Sequence, residues 1–296
     1  MTLVLATEGL GKRYRSTWAL RDCDLAIPAG RVVALVGPNG AGKTTLLQMA
    51  SGLLAPTAGR ITVLGEDAPA DSPDALAHLG FVAQEHPLYR RFRVRELLQM
   101  CGALNAGWDQ DLAVRRLGDL QIPLDRRAGK LSGGQHAQVA LTLALAKRPR
   151  LLILDEPVAS LDPLARREFM QTLMRTVTDD ELTVMLSSHN VGELERVCDY
   201  LVVLAEGRVQ LAGDIDDLLG EHRLLTGPAS AVLDRPGAID ITGSDRYVNA
   251  VVRCQPAEIF PGLQAHPIGL EELVLAYLRR VHSAAPTRPA PVEMSA

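Results

Sequence analysis

The stretch Gly37-Pro38-Asn39-Gly40-Ala41-Gly42-Lys43-Thr44-Thr45 limits what this chain can fold into more than any other. It has the glycine, lysine and threonine spacing of a phosphate-binding loop. The residues before it, Arg31 to Val36, form an apolar run rich in β-branched side chains and read as a buried strand. Those after it, Thr45 to Gly52, read as a helix stopped by glycine. Strand, glycine loop and helix together are the context the motif needs. Glycine lets the backbone approach an anion without a Cβ in the way. Successive N–H groups and the helix N-terminus then point at it. Lys43 is placed to lie along the β- and γ-phosphates of a nucleotide, and Thr44 to ligate Mg2+. A tight glycine turn beside a surface lysine shares the spacing but not the flanking elements.

With 296 residues the chain has room for one large domain and a smaller one. Its hydrophobic fraction of 47% is enough for a substantial core, and a net charge of −4 argues against a protein whose main task is holding nucleic acid. Cys23, Cys101, Cys198 and Cys254 are scattered without metal or redox spacing and read as reduced thiols of a cytosolic protein. Met1 to Glu8 lacks the basic-then-apolar pattern of a secretory signal. No run approaches the roughly 18 apolar residues that span a bilayer. Work at a membrane would therefore need other chains for the membrane part.

Along the chain, Leu3 to Ala6 and Ala19 to Ile27 are candidate strands, with Gly11 to Tyr14 between them. Gly59 to Gly65 alternates as a strand, Asp71 to His78 reads as a short helix, and Leu79 to Ala83 as a strand ending at Gln84. Residues 85–150 change to helical spacing, in Val94 to Met100, Asp111 to Leu120 and Gly133 to Lys147. In the last of these, Val139, Leu143 and Ala146 share a face. The α/β pattern resumes with Leu151 to Leu154, an apolar strand followed by Asp155 and Glu156. A helix from Pro163 to Thr178, a strand from Glu181 to Ser187, a helix from Val191 to Cys198 and strands at Tyr200 to Leu204 and Arg208 to Leu211 follow. Beyond about residue 216 the texture shifts to strands at Ala238 to Thr242 and Tyr247 to Cys254. A final helix has Leu270, Leu273, Val274, Tyr277, Leu278 and Val281 on one face, with acids in its first turn and arginines in its last. Residues 283–296, rich in proline, are expected to be a disordered tail.

One phosphate loop specifies only a nucleotide binder. Leu131-Ser132-Gly133-Gly134-Gln135 places a serine and glycines at the start of a second helix, and so a second anion site. One nucleotide hardly explains both unless the second site serves a neighbouring subunit. This pentapeptide, followed by Leu151 to Pro157, resembles the ATP-binding cassette (ABC) ATPase family, over residues 3 to about 215. The resemblance implies an α/β fold, with a P-loop NTPase core of RecA-like type. An antiparallel β subdomain, a helical subdomain at about 85–150 and a small α+β C-terminal domain at 216–282 complete it. In that family two cassettes pack head to tail, each ATP lying between one chain's phosphate loop and the other's Leu-Ser-Gly-Gly-Gln segment.

Other positions follow from the same resemblance. Tyr14 matches the aromatic residue that stacks on adenine, although alone it is only a loop tyrosine. Gln84 matches the glutamine that reaches Mg2+ and the attacking water, and Asp155 the acid that holds Mg2+ through water. Glu156 would polarise the water or take its proton, and His189 would donate to the γ-phosphate. Asp162, in Ala159-Ser160-Leu161-Asp162, would touch the partner cassette. Two departures stand out: His136-Ala137-Gln138 replaces a variable residue, a glutamine and an arginine, which removes a positive charge near the dimer interface, and Val158 replaces a common threonine. Hydrolysis is expected to survive both.

The resemblance implies a second cassette, most simply a copy of this chain, and permease subunits on a separate membrane-embedded chain, with this one on the cytoplasmic face. Ser187-Ser188-His189, Glu193-Leu194-Glu195, Cys198-Asp199 and the Leu270 helix look like exporter-type cassettes, though import stays open. The basic run Tyr89 to Arg95 is a solvated charged face, a docking surface for a permease helix, or a nucleic-acid contact, in that order. A soluble cassette ATPase acting on nucleic acid or ribosomes would more often carry two cassettes or long insertions. A switch that binds ATP without hydrolysis would not need Lys43, Asp155, Glu156 and His189 together.

Overall fold

The computed structural model describes residues 2–67, 72–179, 182–228, 237–244, 247–255, 258 and 260–284. The chain divides into two compact units, Met1–Ile215 and Asp216–Ala296. In the first, β1 (Leu3–Tyr14) and β2 (Thr17–Pro28) form a long antiparallel hairpin. β3 (Val32–Val36) follows and leads to α1 (Lys43–Ala50). β4 (Ala58–Val63) and β5 (Glu66–Asp67) join the hairpin in an antiparallel sheet of order β2-β1-β4-β5. Gly11 to Tyr14 is therefore strand, not a connection. Shifts in register at Thr7/Leu10, Leu10/Lys12 and Lys12/Arg13 absorb the irregular spacing that hid it.

The second sheet holds β6 (Leu79–Val82), β7 (Leu151–Leu154), β8 (Thr183–Ser188), β9 (Tyr200–Ala205) and β10 (Arg208–Asp214) around β3. Its order is β10-β9-β3-β8-β7-β6, parallel except for β10. All five residues of β3 and all four of β7 are buried, as strands covered on both faces require. Leu5, Leu35, Leu46, Leu47, Val63 and Ile153 tie the two sheets and α1 into one core. The short α2 (Pro73–Ala77) is capped by the Ser72 hydroxyl; Asp71, where the sequence starts this helix, lies outside the described residues.

Between β6 and β7 the chain runs as α3 (Val94–Leu104), α4 (Gln110–Asp119), a single 3-10 turn (Ala128–Lys130) and α5 (Gly133–Leu145). Val94, Leu97, Leu98, Leu117 and Val139 make a separate small core there. α6 (Pro163–Asp179) links β7 to β8. The expected helix over Val191 to Cys198 is reduced to α7 (Val191–Leu194), and Glu181 lies outside the described residues.

α8 (Ile215–Gly220) spans the boundary between the units. In the second unit β11 (His222–Pro228), β12 (Ala238–Gly243), β13 (Tyr247–Arg253) and β14 (Gln264–Pro267) pair antiparallel in the order β12-β13-β11-β14. β11 and β14 have no clean alternation of apolar residues, and cross-strand pairing rather than pattern makes them strands. α9 (Leu270–Ala284) extends past residue 282 and so takes in the first two residues of the expected tail. The rest of that tail, residues 285–296, lies outside the described residues.

Candidate functional site

Parallel pairing brings four chain segments to one edge of the second sheet. Val36 sits beside Ser188, Leu154 beside Leu186, and Val82 beside Leu154. The loop Gly37–Gly42, the pair Asp155-Glu156, His189 and Gln84 therefore all leave the C-terminal ends of neighbouring strands, where open α/β sheets bind ligands. Gly37 has no alternative residue: an added Cβ would lie 2.1 Å from the Leu204 carbonyl oxygen. The Ala41 N–H donates to Pro38 O at 3.1 Å and closes the loop, with Asn39 and Gly40 exposed at its tip. Gly42, at φ +106, is the N-cap of α1, and no side chain accepts from the first turn of that helix. Those N–H groups are what an anion satisfies.

Lys43 is buried, and its ammonium donates to Gly37 O at 2.7 Å and Pro38 O at 3.2 Å. It also lies 3.6 Å from Glu156 Oε1. The other Glu156 oxygen lies 2.8 Å from His189 Nδ1. Glu156 itself has φ +45, a left-handed backbone that a glutamate adopts only under constraint. Asp155 is buried, and its Oδ1 accepts from the Ser187 hydroxyl at 2.8 Å. Ser187 Oγ accepts in turn from the Glu156 N–H at 2.8 Å. The Asp155 N–H donates to Val82 O at 2.9 Å, and Gln84 stands two residues on, exposed at a turn. Thr44 is exposed and Thr45 half-buried at the start of α1. Tyr14 is exposed at the end of β1, under the Lys12 ammonium at 5.7 Å. Its hairpin reaches the loop through Ala19, whose carbonyl oxygen is 2.6 Å from where a Cβ on Gly42 would be.

Ser132, Gly133, Gly134 and Gln135 form a second group. Ser132 Oγ accepts from the Gln135 N–H and Gln135 Oε1 from the Ser132 N–H, both at 3.2 Å, a capping box at the head of α5. Their neighbours within the chain include Arg126, whose Nη1 donates to Gln135 Oε1 at 3.4 Å, and Ser160, Leu161 and Asp162 across a cleft of about 450 Å3. Asp162 caps α6, accepting the N–H groups of Leu164 and Ala165 at 3.0 Å each. Thus Lys43, Asp155, Glu156 and His189 meet within one chain, and Ser132 to Gln135 face Asp162 instead.

The chain matches the ABC transporter family over residues 20–159. It is 32% identical over 284 residues to Nod factor export ATP-binding protein I of Rhizobium sp. (strain N33), a match covering 94% of this chain and 83% of that one. This chain belongs to the ATP-binding subunits of ABC transporters. The cassette is also 37% identical over 217 residues to the sulfate/thiosulfate import ATP-binding protein CysA of Thermosynechococcus vestitus, covering 71% of this chain and 63% of that one. A solved structure of an ATP-binding subunit of an ABC transporter superposes with a TM-score of 0.65 at 29% identity, over 73% of this chain and 92% of that one. The cassette thus has the α/β P-loop fold and is an ATP-binding ATPase subunit of a transporter. Among its described residues, no helix is long and apolar enough to cross a membrane.

Sequence reasoning on the cassette missed two groups. Ser187 was read only as part of Ser187-Ser188-His189, with no role of its own at the site. His86 is buried with φ +46, and its ring meets that of His136 edge-on at 6.4 Å, linking the turn after Gln84 to α5. Burial pushes both imidazoles below the ordinary histidine range; His136 adds to this at His86, and Arg90 at His136. Gln138, in place of the family's arginine, is buried and donates from Nε2 to Thr172 Oγ1 at 3.5 Å. Gln138 thus lies between α5 and α6, at the wall of the cleft that Ser132 to Gln135 share with Asp162.

Proposed function

We propose that this cassette hydrolyses ATP with Mg2+ as one of a pair of like subunits and drives export through a separate permease, from the cytoplasmic face of the membrane. Glu156 carries this function: its carboxylate is fixed between Lys43 and His189, beside the buried Asp155. The backbone of Gly37 to Gly42, with Lys43, Thr44 and Thr45, binds the triphosphate, and Tyr14 takes the adenine face. The Lys43 ammonium, held now by two loop carbonyls, moves onto phosphate oxygens. Glu156 orients the attacking water and receives its proton, and His189 donates to the γ-phosphate. Gln84 closes on the water from the adjoining strand.

The donors present fit Mg2+. Thr44, Gln84 and Asp155 offer hard oxygens, the kind this ion takes. Asp155 uses Oδ1 for Ser187 and keeps Oδ2 for a bound water. No trio of His, Cys, Asp or Glu forms a metal site among the described residues, so the ion depends on these donors and on the phosphates. When bound, Mg2+ neutralises charge on the triphosphate.

Within one chain the Ser132 helix end faces Asp162, and a partner cassette brings its own copy to the nucleotide. Ser132, Gly133, Gly134 and Gln135 then complete the partner's pocket, and Asp162 lies at the contact. Export is supported by the near full-length match to an export subunit, longer than the match to the import subunit. Tyr89 and Phe92, exposed with rings 5.2 Å apart, offer the permease an aromatic foothold beside Arg90 and Arg91.

The test is ATP turnover by the purified chain with Mg2+ or EDTA, alone and with a permease subunit that co-purifies with it from membranes. Turnover that needs Mg2+, rises steeply with protein concentration and is altered by that partner is expected. Full turnover by a monomer would remove the paired mechanism. A neighbouring gene for a periplasmic binding protein would favour import.

A further inference from the structure

Lys12 and Tyr14 stand two positions apart at the end of β1, and the Lys12 ammonium lies 5.7 Å from the centre of the Tyr14 ring. The same ammonium donates to Ala55 O at 2.7 Å. Ala55 belongs to the loop that leaves α1, where the Leu53 and Leu54 N–H groups donate to Gln48 O at 2.9 and 3.2 Å. Two further bonds stitch that loop to β1. The Thr57 N–H donates to Gly11 O at 2.8 Å, and Thr57 Oγ1 accepts from the Arg13 N–H at 3.2 Å. Lys12 is half-buried. Tyr14 is exposed, and among the described residues no hydrogen bond fixes its hydroxyl. Trp18, the other exposed ring of the hairpin, has its own cation in Arg13, at 5.8 Å. Since α1 starts at the phosphate loop, Lys12 joins the ring at one end of the nucleotide site to the element that carries the other end.

We propose that Lys12 is a positioning residue for the nucleotide base: it holds the Tyr14 ring by one face, ties it to the loop after α1 and leaves the other face to adenine. This rests on the reading of Tyr14 as the adenine platform. A cation is attracted to the electron-rich face of an aromatic ring, and the bond to Ala55 O keeps that cation in place. A ring ordered beforehand need not be ordered when the nucleotide arrives, so more of the stacking energy appears as affinity. Lys12 thus acts on the base through Tyr14, not on the phosphates through its charge.

The experiment measures binding to the full chain by calorimetry, with Mg2+ present. One ligand is a non-hydrolysable ATP analogue; the other is inorganic tripolyphosphate, which has no base. Lys12→Met keeps the apolar stem and should weaken the analogue about threefold, with tripolyphosphate unchanged. Lys12→Arg keeps a cation that still donates to a carbonyl, and should bind the analogue as wild type does. Tyr14→Leu should weaken the analogue about tenfold through loss of the stack, and adding Lys12→Met to it should change nothing more. The proposal is overturned if Lys12→Met alone binds the analogue as well as wild type, or tighter, since Lys12 would then occupy the base's own face. It is overturned too if tripolyphosphate weakens in parallel, which means charge, or if Lys12→Met still weakens the analogue when Tyr14 is already Leu, which means a clip on β1. Unchanged affinity in Tyr14→Leu would overturn the platform itself, and the role of Lys12 with it.

Discussion

The Ser187 hydroxyl donates to Asp155 Oδ1 at 2.8 Å and, through the same oxygen, accepts the Glu156 N–H at 2.8 Å. One serine on β8 thus fixes both acids that end β7. Ser187 is fully buried, so water does not replace it. Ser187→Ala is expected to cost about 1–3 kcal/mol, because the buried carboxylate and the Glu156 N–H both lose their partner. ATP turnover should fall with it, since Glu156 is then free to leave its left-handed backbone. Urea unfolding and steady-state ATPase assays check this. A variant as stable and as fast as wild type would show that the bridge has no such role.

Glu156→Gln removes the proton acceptor and keeps the shape of the side chain. Its amide still reaches both Lys43 and His189. Turnover is expected to drop by about 100-fold or more, the usual contribution of a positioned base, while ATP affinity stays near wild type. The closed pair should then persist with ATP and run as a dimer on a sizing column. Turnover near the wild-type rate would take Glu156 out of this role.

The nucleotide edge was legible because its parts are short and local. Gly37 to Thr45 follows an apolar strand, and Asp155-Glu156 follows another, so each motif carries its own context. What stayed hidden depends on partners far along the chain. The Ser187–Asp155 bond spans 32 positions, and nothing in the serine's neighbourhood announces it. The length of β1 was hidden by bulges, and β11 and β14 by the lack of alternation, since their partner strands hold them extended. The opposition of His86 and His136 had no signal in the sequence, where His136 stands at a variable position and His86 in no motif. Those two residues lie 50 positions apart in the sequence, with two helices between them.

At the second helix end, space rather than charge explains Gly134. A Cβ there would sit 2.9 Å from that of Ala165 on α6. Gly134→Ala is expected to push α5 and α6 apart at a cost of about 1–3 kcal/mol and to weaken ATP-driven pairing. Adding Ala165→Gly removes the clash and should restore most of the lost stability. Thermal unfolding of the single and double variants, with sizing in ATP, tests the pair. Equal losses of stability in both would mean that Ala165 is not what the added Cβ meets, and unchanged stability with lost pairing would place the effect on the nucleotide contact.

In the second unit His222 is fully buried, with Nδ1 2.6 Å from Leu218 O and Nε2 3.0 Å from the Tyr277 hydroxyl. The carbonyl can only accept, so Nδ1 carries the hydrogen and Nε2 accepts from Tyr277. Burial pulls the imidazole below the ordinary histidine value of 6.5; Arg253 adds to the drop, while the Leu218 carbonyl and Glu221 oppose it. Above that value both folded and unfolded chains are neutral at this residue, and its bonds are fully in place. As the pH falls through it, the unfolded chain takes up a proton that the folded one refuses, so stability is lost until the folded value is passed. His222→Gln keeps a donor for Leu218 and an acceptor for Tyr277 but does not titrate. Hydrogen exchange over residues 218–228 should therefore quicken between pH 7.5 and pH 5, after correction for intrinsic rates, more in the wild type than in this variant. The other depressed histidines, His86 and His136, are common to both proteins and cancel in the comparison. Parallel pH profiles for the two would mean that His222 protonates in place without disturbing Tyr277.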